Sequence, residues 1–207
     1  MCVLDLFNDF HHQNVLPYDG GVYYYPNLVS PKDANTYFTS FGSSIEWKND
    51  EIRMFGKRIV TRRMVAWYAD KPFTYVYSGV QKIAQPWTPE LFTLKQHVEN
   101  STGTAFNSCL LNLYHNGNES MGWHSDDEKM LDPNAPIASV SLGTNRLFHF
   151  KHKISGEKVS ISLESGSLLL MNPPTQVYWV HALGKSVKIK DARINLTFRS
   201  VLPQPGI

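Results

Sequence analysis

Arg193-Ile194-Asn195-Leu196-Thr197-Phe198-Arg199 alternates polar and apolar side chains without a break. Successive side chains of a strand point to opposite faces. Ile194, Leu196 and Phe198 therefore share one face, and Arg193, Asn195, Thr197 and Arg199 the other. The plain reading is a strand with one dry face and one wet face. The other reading is a donor-rich surface. Two arginines flanking Asn and Thr can grip a dicarboxylate, because guanidinium meets carboxylate through two parallel hydrogen bonds that lysine cannot make.

The residues before this segment follow the same period. Ser108–Tyr114, Ile137–Leu142, Leu147–His152, Val159–Leu163, Ser167–Met171 and Val177–His181 are short, strand-like and bounded by turn residues such as Asn116-Gly117, Ser155-Gly156 and Pro173-Pro174. Earlier in the chain, Tyr23 to Tyr25 read as a short strand. Ser30-Pro31 and Thr88-Pro89 each pair an N-cap with proline at the first helical position. Apolar residues recur at helical spacing after both, and Gly42 and Gly103 are placed to end these helices. Helices first and strands afterwards make an α+β chain, mainly β. The arrangement is a β-sandwich or jelly roll with the helices packed outside one sheet.

Composition sets limits. The 207 residues are 42% hydrophobic and 18% charged, ordinary for one globular domain with a real core. A net charge of +2 does not by itself mark a nucleic-acid binder, although basic residues can still cluster locally. Two cysteines, Cys2 and Cys109, lack the spacing of a disulfide framework or zinc finger and fit a reducing compartment. The start of the chain does not read as a signal peptide, and no apolar run approaches the ~20 residues of a membrane helix. These features predict an intracellular protein without a membrane partner. Residues 1–20 read as an irregular segment and 21–207 as a single domain.

A second stretch raises a chemical question. Gly122-Trp123-His124-Ser125-Asp126-Asp127-Glu128 sets three acids in a row after a histidine. A solvated loop tolerates that charge. A metal requires some of it. His124 and Asp126 stand two apart, on one face of an extended segment, and His181 ends a later strand. Two histidines and one carboxylate form the facial triad of non-haem Fe(II) enzymes, which leaves positions open for substrate and co-substrate. Beside such a triad, the two arginines of 193–199 suit the chemistry of 2-oxoglutarate oxygenases. Asn112 and Tyr114, two apart on another strand, offer further polar groups.

His124-x-Asp126, His181, Arg193-x-Asn195-x-Thr197-x-Arg199 and Asn112-x-Tyr114 resemble the AlkB family of Fe(II)/2-oxoglutarate dioxygenases. The resemblance spans about residues 50–200, and the His-x-Asp-Asp-Glu form is similar to its DNA-repair demethylases. It implies a double-stranded β-helix, which is a jelly roll, with N-terminal helices on one sheet. The jelly-roll core would lie at about 105–203 and a nucleotide-recognition lid at about 50–80. It implies Fe(II), 2-oxoglutarate and O2 as cofactors, with His124, Asp126 and His181 as the iron ligands. Arg193, helped by Tyr114, would hold the far carboxylate of 2-oxoglutarate. Arg199, Asn195 and Asn112 would lie nearer the iron-side carboxylate, with Thr197 lining the same pocket. Asp127 would read the methylated base, supported by Glu128. The activity implied is oxidative demethylation of N1-methyladenine and N3-methylcytosine in DNA, with release of formaldehyde.

The substrate side is written in shorter signals. Lys57, Arg58, Arg62 and Arg63 make a local basic cluster, read as phosphate contacts or as a solvated edge strand. Phe55 in Met54-Phe55-Gly56-Lys57 resembles the hairpin finger of the duplex-DNA branch, where an aromatic fills the gap left by a flipped base. Tyr75 and Tyr77 share a strand face and resemble the lid aromatics, with Tyr77 at the stacking position. The partner expected is DNA, single- or double-stranded, with RNA also open, and the protein is expected to be a monomer. Localisation would be cytoplasmic in a bacterium and nuclear in a eukaryote. The alternatives are the same iron chemistry on RNA or a protein side chain, a non-catalytic nucleic-acid-binding jelly roll, and a zinc hydrolase. The last would leave Arg193 and Arg199 without a purpose. One departure stands out. The family pattern has a proline before the basic pair and Tyr-Gly further on, where this chain has Thr61-Arg62-Arg63 and Trp67-Tyr68-Ala69.

Overall fold

The structure is a computed structural model and describes residues 13–54, 57–77 and 80–203, with side chains outside 52–59 and 75–82. The chain runs β1 (Gly21–Tyr25), α1 (Pro31–Ser44), β2 (Lys48–Met54), β3 (Lys57–Ala69), β4 (Thr74–Tyr77), β5 (Val80–Ile83) and α2 (Pro89–Thr102). It continues with β6 (Ser108–Tyr114), β7 (Met121–His124), β8 (Ile137–Gly143), β9 (Arg146–His152), β10 (Lys158–Leu163) and β11 (Ser167–Asn172). It closes with α3 (Thr175–Tyr178), β12 (Trp179–Leu183) and β13 (Arg193–Arg199).

Two sheets carry the architecture. The larger has seven strands in the order β1-β11-β8-β13-β6-β3-β2, and the smaller has four in the order β10-β9-β12-β7. From β6 onward the chain crosses between them, with β6, β8, β11 and β13 in the large sheet and β7, β9, β10 and β12 in the small one. That crossing, with antiparallel pairing throughout both sheets, is the double-stranded β-helix expected from the sequence. A separate hairpin pairs β4 with β5. No helix among the described residues is long and apolar enough to cross a membrane.

β13 explains how the layers hold together. Ile194, Leu196 and Phe198 are fully buried and pack with Leu91, Leu94 and Val98 of α2 and with Phe41 of α1. Burying a side chain of that size contributes about 1.5–3 kcal/mol. The opposite face is buried as well. Of the two readings of that face, the wet one does not hold, because the small sheet covers Arg193, Asn195, Thr197 and Arg199 and a cavity lies between. A second apolar cluster, with Phe150, Leu169, Met171 and Trp179, packs the sheets together beside that cavity.

The helix starts fall where the sequence puts them. Ser30 caps α1 by accepting from Asp33 N, and Thr88 caps α2 by accepting from Leu91 N. Gly103 ends α2 with φ +66°, a left-handed turn that glycine adopts without a Cβ penalty. Gly42 does not end α1. That helix runs on to Ser44, and extended Ile45 stops it. The expected strand Val177–His181 is also revised. Thr175–Tyr178 form one helical turn after Pro173-Pro174, and the strand begins at Trp179. Thr175 holds that turn, because its hydroxyl donates to Asn172 O and accepts from Gly21 N. β2 and β3, assigned by sequence to a lid, are hydrogen-bonded into the large sheet through β6.

Candidate active site

The small sheet brings the two histidines together. His124 ends β7 and His181 stands opposite it in register on β12. Their rings meet edge-on with centroids 4.3 Å apart. The turn after β7 then carries Asp126 back to them. Asp126 Oδ1 lies 3.6 Å from His124 Nε2 and 4.0 Å from His181 Nε2. One donor atom from each of the three lies within 4.8 Å of the others.

The protonation states suit a cation. His124 Nδ1 lies 2.8 Å from Gly122 O, which can only accept, so Nδ1 donates there and Nε2 is the ring nitrogen turned to Asp126. Burial pushes the His181 pKa down to about 4, against the pull of Asp126, so this ring is neutral at physiological pH. Burial opposes ionisation of Asp126, but Arg199, His181 and His124 together outweigh it and hold the carboxyl below its usual value. Two imidazoles and one carboxylate within ligand reach match an Fe(II) facial triad.

Across the cavity, the large sheet supplies cations. Arg199 Nε faces Asp126 Oδ2 at 3.5 Å, and Arg199 Nη1 faces Glu128 Oε1 at 3.4 Å. Burial works against the Arg199 charge, but these two acids raise its pKa. Arg193 differs. It is 2% exposed, its Nη2 donates to Ser141 Oγ at 2.8 Å, and its buried Nε has no partner. Burial lowers its pKa to about 10, so it is still charged at neutral pH. Among the described residues no acid pairs with it. A buried cation in that state calls for a carboxylate, which is what the far end of 2-oxoglutarate provides. The pocket residues between are fixed by one another. Thr197 Oγ1 donates to Asn195 Oδ1, and Asn195 Nδ2 donates to Ser139 Oγ and Val140 O. The Tyr114 ring lies beside Arg193, with the guanidinium carbon 5.7 Å from its centre.

The cavity holds about 330 Å³ and is lined by all nine residues expected at the iron and the co-substrate. Asp127 and Glu128 line it too, Asp127 being exposed. Glu128 is tied to Arg199, while its buried Oε2 has no partner. Arg62 is exposed on β3, outside this cavity. Tyr75 and Tyr77 fall in β4, but their side chains, like Phe55 altogether, lie outside the described residues.

Arg63 corrects the reading of the basic cluster. It is buried in the cavity wall, donates to Asn112 Oδ1 and pairs with Asp50, so it does not face bulk phosphate. Asn112 therefore presents its amide nitrogen to a ligand. The sequence concealed this group because Asp50 and Asn112 come from separate strands. The only signal was an arginine in phase with Val65 and Trp67.

These features define an iron- and 2-oxo-acid-dependent oxygenase, and comparison with known proteins agrees. Residues 21–199 match the 2OG-Fe(II) oxygenase superfamily. The chain belongs to that superfamily and, within it, to the AlkB family of Fe(II)/2-oxoglutarate-dependent dioxygenases, with Fe(II), 2-oxoglutarate and O2 as cofactors. It is 38% identical over 190 residues to DNA oxidative demethylase ALKBH2 of Mus musculus, covering 86% of this chain and 80% of that protein. It is 37% identical over 191 residues to alpha-ketoglutarate-dependent dioxygenase alkB homolog 3 of Homo sapiens, covering 87% of this chain and 66% of that one. The solved structure of OsALKBH1 is similar with a TM-score of 0.64 at 17% identity, over 87% of this chain and 98% of that one, a likeness of fold.

Proposed function

We propose that this chain is a DNA oxidative demethylase that restores N1-methyladenine and N3-methylcytosine. The observation that carries the reading is a single cavity with an iron-type triad at one wall and an unpaired buried arginine at the other, in a chain 38% identical to a DNA oxidative demethylase. Methylation at those positions blocks base pairing, which lowers the cost of turning the base out of the helix.

When bound, iron with 2-oxoglutarate and O2 would supply the oxidation of the N-methyl carbon, with O2 as the oxidant, and that carbon would leave as formaldehyde. The residues of the chain do the rest. His124, Asp126 and His181 hold the metal. Arg193 takes the far carboxylate of 2-oxoglutarate, beside Tyr114. Arg199 orients Asp126 and, with Asn195, Thr197 and Asn112, lines the near end. Asp127 accepts from the exocyclic amine of the base and offsets the positive charge that N-methylation creates. Exposed Arg62 meets backbone phosphate. Tyr75 and Tyr77 contribute the aromatic lid, and Phe55 the wedge.

The test is turnover of an oligonucleotide with one N1-methyladenine in the presence of Fe(II), 2-oxoglutarate and ascorbate. Formaldehyde and unmodified adenine are expected, and His124→Ala should abolish both. Succinate without base restoration would keep the oxygenase and discard the substrate.

A further inference from the structure

Arg146 is a second buried cation beside Tyr114 of the cavity wall, and the chemistry above does not use it. It opens β9 and is 2% exposed. Its Nη2 donates to Glu119 O at 2.9 Å and Gly184 O at 2.7 Å, and its Nη1 to Asn116 O at 3.4 Å. Those carbonyls belong to the two loops that follow β6 and β12. The loops are already joined, because Gly117 N donates to Ile189 O and Ser186 N to Gly117 O. A Cβ at Gly117 would lie 1.9 Å from Ser186 O, so only glycine permits the approach.

Arg146 also shares a ring with Arg193. Its guanidinium carbon is 5.8 Å from the centre of Tyr114, and that of Arg193 is 5.7 Å from the same centre. Neither arginine has a salt bridge among the described residues. The nearby acid, Glu119, favours the Arg146 charge without pairing with it, because its carboxylate accepts from His115 N at 3.0 Å and faces His115 Nδ1 at 3.1 Å. Two buried guanidinium groups around one tyrosine repel each other, and after burial itself Arg146 works against the charge of Arg193. A dianion beside that ring relieves both.

We propose that Arg146 is a positioning residue for the far carboxylate of 2-oxoglutarate, setting the orientation of Tyr114 and adding positive potential behind Arg193. It rests on the assignment of Arg193 to that carboxylate. Arg146 does not touch the co-substrate. It makes the pocket select a dianionic 2-oxo acid over a singly charged one.

The test is calorimetric titration of the anaerobic Fe(II) protein with 2-oxoglutarate and with 2-oxopentanoate, which keeps the chain but lacks the far carboxylate. Arg146→Gln removes the charge and can still donate to a carbonyl. Arg146→Lys keeps the charge. With Arg146→Gln, the Kd for 2-oxoglutarate should rise about tenfold while that for 2-oxopentanoate changes less than about twofold, the mark of a lost charge interaction. Arg146→Lys should keep most of the discrimination. Equal weakening of both acids in both variants would make Arg146 a structural bolt and overturn the proposal. Arg193→Met serves as the control. If it binds 2-oxoglutarate as the unaltered protein does, the Arg193 assignment is what fails, and the part given to Arg146 falls with it.

Discussion

Asp126 and Asp127 are chain neighbours with opposite surroundings. The Asp126 side chain is 7% exposed and lies between two imidazoles and Arg199, whereas Asp127 is exposed at the rim of the same cavity. A carboxylate in the first setting is committed to its buried neighbours. One in the second is available to a ligand. Asp127→Asn should therefore spare the iron and 2-oxoglutarate sites and weaken recognition of a cationic base. The expected loss in kcat/KM on an N1-methyladenine oligonucleotide is about tenfold, the scale of one hydrogen bond to a charged group. Affinity for 2-oxoglutarate should not move. An unchanged kcat/KM would remove Asp127 from the substrate contacts. Glu128 stands between the two cases, with one oxygen on Arg199 and the other buried without a partner.

At the scale of the element, β13 separates stability from binding along one strand. Leu196 is fully buried against the helices, so Leu196→Ala should cost about 2–5 kcal/mol of stability. Because it leaves the cavity face unaltered, folded Leu196→Ala protein should bind 2-oxoglutarate as before. Thr197→Val should do the reverse, since it removes the hydroxyl that donates to Asn195 while nearly keeping the volume. Denaturant unfolding and 2-oxoglutarate titration of the two variants read the two effects. Coincident losses in both assays would mean that the faces are not independent. The alternation of RINLTFR made these two faces legible in advance, as the caps Ser30 and Thr88 made the helix starts legible. What a pattern of one segment cannot show is what covers it. The polar face of β13 reads as wet because the small sheet above it is built from residues distant in sequence. Arg63 reads as a surface cation because Asp50 and Asn112 are remote from it. β7 is only four residues long, with its middle two exposed, too short for a period, yet it carries His124. The candidate ligands were legible because metal chemistry needs particular side chains, wherever the chain puts them.

At the scale of the whole molecule, the site spans both sheets. The triad belongs to the small sheet and the turn leaving it, while the carboxylate grip belongs to β13 and β6 of the large one. The Arg199–Asp126 contact already crosses between them. A metal ion alone would add bonds on the small-sheet side, and 2-oxoglutarate alone would add them chiefly on the large-sheet side. On the proposed reading, the co-substrate would be held by the arginines at one end and by the metal at the other, and so would tie the sheets together. A ligand that binds only the folded state stabilises it by mass action, by about 2.7 kcal/mol at a hundredfold excess over Kd. For a chain of this size that is a rise in Tm of about 5–10 °C. Metal-stripped protein should therefore melt lowest. Mn(II) alone and 2-oxoglutarate alone should each raise Tm, and the two together should raise it by more than the sum of the separate shifts. Mn(II) serves as the test ion because it takes the same kinds of ligand as Fe(II). EDTA should remove the metal-dependent part and leave the smaller effect of 2-oxoglutarate on Arg193. His124→Ala should lose the excess over the sum but keep that smaller effect, because Arg193 is untouched. Additive shifts would mean that metal and co-substrate bind without sharing contacts, and the reading of one cavity closed by two sheets would not stand.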